Sequence, residues 1–561
     1  MTAPSPAPPR RHRFRKFVGP LLVVLVLLIA LLFGLALWPL HQARDAWRSG
    51  HDSQAVALGE QWGRLGLWRA QYHQLLAAAY LTAGNTASAE PHLRGIGHLR
   101  WPVVPKDEVA RRLFAKQRYA EFLRYDAAAP DSNDSQDVAL DRAAALVATN
   151  RTAEAAQAFS LVDGSQANAA RYAALKKTIA ARASGVMPYV LDRNGHPIAS
   201  LNLKTGAVTA DDPSFSPIIL SSAGALTVGS RLLQLGTDAT LETTLDPFVQ
   251  KAAQQALGNF RGSMVVIDPR TNEILAIVST AGRGPLANLA LEHRYEPGSV
   301  VKVVTGLNAL NGGANLGAMF PYTCKGELMV DGRHFGDWLP AGHGKLASID
   351  DALAVSCNVF FADVGIRMGT EHLRRFMSAA GFDSQVDLGL FTVPLGKTVG
   401  QIFNNFETGF YAIGLAHESM NALHVAMVAS MVANHGMLTT PLLLRERHSI
   451  LGDLVAKGPA PKKTQLASRD AADAITRSMQ AVATEAHGTG RRAPVEGMSL
   501  AMKTGTAGDR KAGGLEALIL AFAPAESPKI AFGIIAEDAG PAEYAGAKIA
   551  HDFLMAMKPR L

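Results

Sequence analysis

Ser299 and Lys302 stand at the head of an apolar run, Val300 to Leu310, that reads as a helix. Three residues along a helix return to one face, so this hydroxyl and amine lie side by side. Pro297 and Gly298 turn the chain just before them. Ser299 is therefore expected at a helix N-terminus, where unpaired N–H groups and the macrodipole favour an alkoxide or oxyanion. Serine is a poor nucleophile at its own pKa and needs an adjacent base. A lysine serves if burial or nearby positive charge lowers its pKa toward neutrality. Lys503 is a candidate source of that charge. Taken alone the pair says little: S-x-x-K arises by chance about once in a chain of this length, usually as a helix cap and a surface lysine.

Two later motifs change that reading. Ser356-Cys-Asn358 follows the helical stretch Ser348 to Val355 and runs into Val359-Phe-Phe-Ala. It reads as a turn between helices, with Ser356 and Asn358 on one side and Cys357 on the other. The hydroxyl can relay a proton and the amide can hold a peptide carbonyl; a pair of helix caps is the plainer alternative. Lys503-Thr504-Gly505-Thr506 starts a strand-like segment, and this tetrapeptide has random odds on the order of one in a thousand. Lys503, Thr504 and Thr506 can bind a carboxylate, while Gly505 permits close backbone approach.

In this order the three motifs resemble the signature of active-site-serine penicillin-binding transpeptidases. The resemblance extends over roughly the last three-fifths of the chain, through Thr244-Leu-Asp246, Ile413-Gly414, Asn421-Ala-Leu-His-Val-Ala, Ala433-Asn-His-Gly436 and His487-Gly-Thr489-Gly. It implies that Ser299 attacks the carbonyl between the last two D-alanines of a peptidoglycan stem peptide while Lys302 takes its proton. Ser356 then passes a proton to the departing D-alanine and Asn358 orients the donor. Lys503, Thr504, Gly505 and Thr506 hold the donor's carboxylate end, and the N–H groups of Ser299 and Thr506 form the oxyanion hole. A second stem's amine resolves the acyl-enzyme; a β-lactam mimics the donor and leaves a long-lived adduct. The resemblance calls for no cofactor and no metal.

The fold implied is α+β. Gly262 to Asp268 and Glu273 to Ser279 read as a hairpin about Pro269-Arg-Thr-Asn272. The Lys-Thr-Gly strand and two runs, Ala517 to Ala523 and Lys529 to Ala536, supply three more strands, and Glu543 to Met557 a closing helix. Two early and three late strands suggest one antiparallel sheet covered by helices, with the Lys-Thr-Gly strand edging the cleft.

Residues Phe17 to Leu40 carry no charge and suffice to span a bilayer as a helix. Arg10, Arg11, Arg13, Arg15 and Lys16 precede them with no acidic residue. An uncleaved anchor with residues 1–16 in the cytoplasm and everything after Leu40 outside is expected, in a bacterial cytoplasmic membrane given the resemblance. These five charges make up most of the formal +7, so the exported part is near neutral and nothing argues for nucleic acid.

Residues 41–184 are rich in Ala and Leu at helical spacing. Leu75 to Ala89 and Ala143 to Ala156 look alike, each as helix, turn, helix, and resemble degenerate tetratricopeptide repeats. A docking surface for a partner, such as a membrane glycan polymerase or another cell-wall or division protein, and a plain spacer are equal readings. Pro130 to Ser135 is a polar loop within it. Residues 185–242, opening with a strand–turn–strand about Asn194-Gly195, are expected to form a small β-rich pedestal, and 243–561 the catalytic domain.

Two cysteines occur, Cys324 and Cys357. Related domains often pair a cysteine near Cys324 with one just before a Trp; Asp337 stands there in this chain, which suggests an unpaired Cys324, with a bridge to Cys357 left open. The absence of a Glu-Asp-x-x-Phe segment argues against a glycosyltransferase domain, so the chain resembles the monofunctional class B enzymes. Ala517-Leu-Ile-Leu replaces their usual Trp-Phe. A D,D-carboxypeptidase would use the same residues. A β-lactamase would need a deacylating Glu-x-x-Leu-Asn, which is missing between Asn358 and Lys503. A tethered β-lactam sensor or scaffold is the non-enzyme alternative.

Overall fold

The computed structural model describes residues 15–64, 68–97, 101–129, 134–202, 205, 207–220, 227, 239–282, 287–398, 400–449, 452–508 and 514–561. The chain divides into two compact units, residues 1–183 with 450–453, and residues 184–449 with 454–561. Each has its own apolar core.

The first unit is all helix: α1 (Arg15–Arg48), α2 (Asp52–Gly63), α3 (Arg69–Ala83), α4 (Thr86–Ile96), α5 (Lys106–Ala115), α6 (Tyr119–Ala128), α7 (Gln136–Ala148), α8 (Thr152–Ser160) and α9 (Ala169–Ser184). The first eight form pairs, and a left-handed residue turns the chain within each: Gly50, Gly84, Gln117 and Asn150. These positions are 34, 33 and 33 residues apart. The two look-alike stretches are thus the second and fourth members of a regular helix–turn–helix series. Small residues let the helices close on each other. Ala77, Ala78 and Ala79 of α3 and Ala143, Ala144 and Ala145 of α7 are fully buried, around the larger Trp47, Phe122 and Tyr125. Buried Asp52 is held by Arg112 at 2.7 Å and Lys116 at 3.2 Å, which answers the cost of burying its charge.

The uncharged run Phe17 to Leu40 lies within α1, and Leu22 to Ile29 and Leu31 expose large apolar side chains. Among the described residues no helix is long and apolar enough to cross a membrane. Arg10, Arg11 and Arg13 lie outside the described residues, as do Pro130 to Asn133 of the polar loop.

The second unit is built on a five-stranded antiparallel sheet of β1 (Arg261–Asp268), β2 (Glu273–Ala281), β3 (Ala501–Ala507), β4 (Glu516–Ala523) and β5 (Ile530–Ala536), in the order β3-β4-β5-β1-β2. This is the expected joining of two early and three late strands, with β3 at an edge. The middle strands are continuous apolar runs because helices cover both faces. Helices α10 (Pro247–Leu257) and α16 (Ala545–Met557) pack together on one side; the fully buried α14 (Ala422–Ala433) packs on β5, β1 and β4. Between them in sequence come α11 (Val301–Asn308), α12 (Ile349–Ala354) and α13 (Asn358–Met368), with α15 (Arg469–Thr484) following α14.

A second sheet of six strands contains the strand–turn–strand of Val186–Leu191 and Pro197–Asn202, where Gly195 has φ +81°. Val208–Ala210 and Ala239–Thr243 belong to it. So do Leu444–Ser449 and Leu454–Lys457, a later hairpin that pairs with Ala239–Thr243. Most of residues 221–238 of the expected pedestal lie outside the described residues.

Candidate active site

Ser299 sits in one 3₁₀ turn, Gly298–Val300, that runs straight into α11. Gly298 has φ +53° and donates its N–H to Gly414 O at 2.9 Å. A Cβ on Gly298 would stand 2.7 Å from Thr506 O, so the nucleophile's turn is wedged against β3.

Lys302, one helical turn on, is fully buried. Its Nζ donates to Ser356 O at 2.7 Å, Asn358 Oδ1 at 2.5 Å and Ser356 Oγ at 3.3 Å. Lys503 is equally buried, near the middle of β3 rather than at its start. Its Nζ donates to Thr504 O at 2.7 Å, Ser356 Oγ at 3.0 Å and Thr504 Oγ1 at 3.4 Å. The Ser356 hydroxyl is thus the shared acceptor of both lysines. Its backbone, between α12 and α13, is left-handed at φ +57°, an uncommon state for a non-glycine residue. Ser356 and Asn358 face Lys302. Cys357 Sγ caps α13 by accepting the Phe360 N–H at 3.3 Å.

Burial brings the Lys302 amine down to about 8, while Asp337 and Cys357 pull it upward. Lys503 is held well below the usual lysine range by burial and then by the charge of Lys302. The sequence argument gave Lys503 the charge that lowers Lys302. In the structure that order is reversed: burial lowers Lys302, and the repulsion falls on Lys503.

Ser299, Ser356, Asn358, Thr504 and Thr506 line one cavity of about 400 Å³, with the lysines behind its wall. That volume lies within the range of small-ligand sites. Thr506 Oγ1 accepts the Ala542 N–H at 3.1 Å. Glycine at 505 has a reason apart from substrate access: a Cβ there would lie 2.8 Å from Pro297 O and 3.2 Å from Val300 N, inside the Ser299 turn.

Sequence reasoning left several residues unassigned. Thr489 joins the cavity wall, with its Oγ1 at 2.7 Å from Thr504 Oγ1. The segment Gly488-Thr489-Gly490 was a visible signal, but the role of its hydroxyl was not. Trp338 lines the cavity and ties its indole N–H to Val355 O at 3.1 Å. Behind it, Cys324, Asp337 and Cys357 bring ligand-type atoms within 4.8 Å of one another; Glu242, Glu446 and His448 form a second such group.

The sequence model of the penicillin binding protein transpeptidase domain matches residues 262–557. Peptidoglycan D,D-transpeptidase PbpA of Mycolicibacterium smegmatis is 29% identical over 380 residues, 60% of this chain and 75% of that protein. Peptidoglycan D,D-transpeptidase MrdA of Acinetobacter baumannii is 30% identical over 348 residues, 53% of this chain and 51% of that protein. Among solved structures, the D,D-transpeptidase domain of a peptidoglycan glycosyltransferase from Eggerthella lenta superposes with a TM-score of 0.59 at 22% identity, covering 67% of this chain and 99% of that one. PBPA from Mycobacterium tuberculosis gives 0.57 at 23% identity, covering 66% and 99%. With the matched domain spanning more than half of its residues, the chain belongs to the penicillin-binding protein transpeptidase family.

Proposed function

We infer that this chain is a peptidoglycan D,D-transpeptidase that cross-links stem peptides through an acyl-enzyme on Ser299 and is acylated there by β-lactams. One observation carries the assignment of roles: two buried lysines converge on the Ser356 hydroxyl beside the cavity that holds Ser299. Lys302, the amine poised at about 8, takes the proton of Ser299. Ser356, within reach of both lysines, returns a proton to the leaving D-alanine. Asn358 orients the donor peptide, and Lys503, Thr504, Gly505 and Thr506 receive its carboxylate end. The N–H groups of Ser299 and Thr506 receive the oxyanion, a role that the close approach of the Ser299 turn to β3 supports.

The enzyme acts outside the cytoplasmic membrane, held by the uncharged run in α1, whose exposed Leu22 to Ile29 suit a lipid surround. The 33–34-residue helical series is a tetratricopeptide-like module for docking a cell-wall partner, a membrane glycan polymerase by analogy with class B enzymes.

Fluorescent penicillin applied to the full chain, followed by mass spectrometry of the labelled peptide, tests the reading. The label is expected on Ser299 and is lost in Ser299→Ala. A label on Ser356, or none, sinks the assignment. Product analysis on pentapeptide stems separates cross-linking from carboxypeptidase activity, and a reporter active only outside the cytoplasm, fused after Leu561, tests the topology.

A further inference from the structure

Among the described residues that line the Ser299 cavity, Glu543 is the one with a charged side chain. It lies in the turn just before α16, and three hydrogen bonds fix that turn. Tyr544 donates its N–H to Pro541 O at 3.0 Å, Ala547 to Ala542 O at 2.8 Å, and Ala542 to Thr506 Oγ1 at 3.1 Å. The last of these ties the turn to a threonine of the cavity wall. Glu543 is half-buried, and among the described residues its carboxylate has no hydrogen bond or ion pair. Arg492, whose guanidinium lies over the ring of the adjacent Tyr544 at 4.4 Å, makes no ion pair with it. A carboxylate partly shielded from water and without a cation of its own chain is open to one on a ligand.

Its place along the cavity decides which part of a ligand it meets. Thr504 and Thr506 both line the cavity and stand roughly 7 Å apart along β3. Beyond Thr506 the wall continues through Ala507 and Gly508. Ala507 pairs with Glu516, and Leu515 O accepts the Gly540 N–H at 3.2 Å, so residues 540–543 border the end of β3 that lies away from Lys503. A donor with its terminal carboxylate at Lys503 and Thr504 and its scissile carbonyl at Ser299 therefore runs its upstream residues toward Glu543. Its two D-alanines bear only methyl groups. The amine that lets a stem act as acceptor belongs to a residue upstream of them, and every donor stem carries that amine too. An aliphatic amine of this kind is an ammonium at neutral pH.

We propose that Glu543 is a specificity residue of the donor site: its carboxylate pairs with the side-chain ammonium of the donor stem's diamino acid, so that the cavity favours a cationic group there over a neutral or anionic one. The inference rests on the reading of Ser299 as the nucleophile and names the substrate chemistry at one end of its cavity. Glu543 makes and breaks no bond; it selects by charge. Acylation precedes the entry of a second stem, so a charge preference seen in acylation belongs to the donor and not to the acceptor.

The test uses the full chain purified in detergent and three penicillins that differ at one side-chain carbon. Benzylpenicillin carries hydrogen there, ampicillin an ammonium and carbenicillin a carboxylate. Second-order acylation rates are measured at about pH 6.5, where an α-amine keeps its proton. Each rate is divided by the benzylpenicillin rate of the same protein, so a general loss of stability or reactivity in a variant does not move the result. The wild type is expected to favour ampicillin over carbenicillin by about ten-fold or more. Glu543→Gln should cut that preference to about three-fold or less, Glu543→Lys should reverse it, and Glu543→Asp, which keeps the charge, should retain it. A preference that stays within about two-fold of the wild type in both Glu543→Gln and Glu543→Lys overturns the inference and leaves the Ser299 reading standing. A wild-type chain that none of the three penicillins acylates overturns both.

Discussion

The Ser356 hydroxyl accepts hydrogen bonds from two buried ammonium groups, Lys302 at 3.3 Å and Lys503 at 3.0 Å. Burial disfavours each charge, and the charge on Lys302 makes the one on Lys503 costlier still. Lys302 as an ammonium cannot accept the proton of Ser299, so acylation should follow its free base. Because its pKa is lowered from 10.5 to about 8, that base appears as pH rises toward 8 instead of 10.5. The second-order rate of penicillin acylation is therefore expected to climb with pH to a half-maximum near 8. Lys302→Arg, which stays charged, should lose about a thousand-fold at every pH. A profile flat between about pH 6 and 9 would reject Lys302 as the base. At this scale the residue types were legible: each motif named a hydroxyl, an amine or an amide in workable spacing. The partners were not. Nothing in Lys302 or Lys503 alone reveals that both meet at Ser356, because that meeting depends on contacts 54 and 147 residues apart in the chain.

Those contacts are made by elements. β3 brings Thr504 and Thr506 to the cavity and Lys503 behind its wall, and its edge place leaves one side of the strand unpaired with β4 and turned to the Ser299 turn. Strand and turn approach so closely that Gly505 and Gly298 each have no room for a Cβ against the other's backbone. Backbone atoms cannot swing aside as a flexible side chain can. Gly505→Ala should therefore cost about 1–3 kcal/mol and, by pushing β3 off the turn, slow acylation more than it lowers the melting temperature would suggest. Parallel thermal melts and acylation rates check this; an alanine variant that acylates at the wild-type rate would mean the turn and strand are not coupled. Strand existence was readable from apolar runs bounded by Pro and Gly; the order of the strands in the sheet was not. The left-handed Ser356 was not, since a serine between two helices reads as an ordinary cap. The six-stranded sheet was only half visible, because its Leu444–Ser449 strand is rich in charge, with Arg445, Glu446, Arg447 and His448.

At the scale of the whole molecule, the two units have separate cores: one gathers residues from Leu40 to Leu175, the other from Tyr189 to Met557. Among the described residues none before Tyr189 belongs to the second cluster, and every strand and motif of the cavity lies in it or on it. Deleting residues 41–184 while keeping the uncharged run should therefore leave the rate of penicillin acylation within about two-fold of the intact chain, since the deletion removes no residue of the second core cluster. Cell-wall function should nevertheless fall. A transpeptidase needs a second stem peptide at hand, and on the proposed docking reading the helix series, repeating every 33 or 34 residues from Gly50 to Asn150, would hold the partner that supplies it. The repeat was faintly legible, because only two of its four turns carry the similar flanking sequences; Gln117 turns the chain as Gly84 does without resembling it. Complementation of a strain lacking the protein measures the difference. If the shortened chain acylates normally but fails to support growth or shape, the helical unit recruits a partner. If it complements fully, the unit serves as a spacer and the docking reading is wrong.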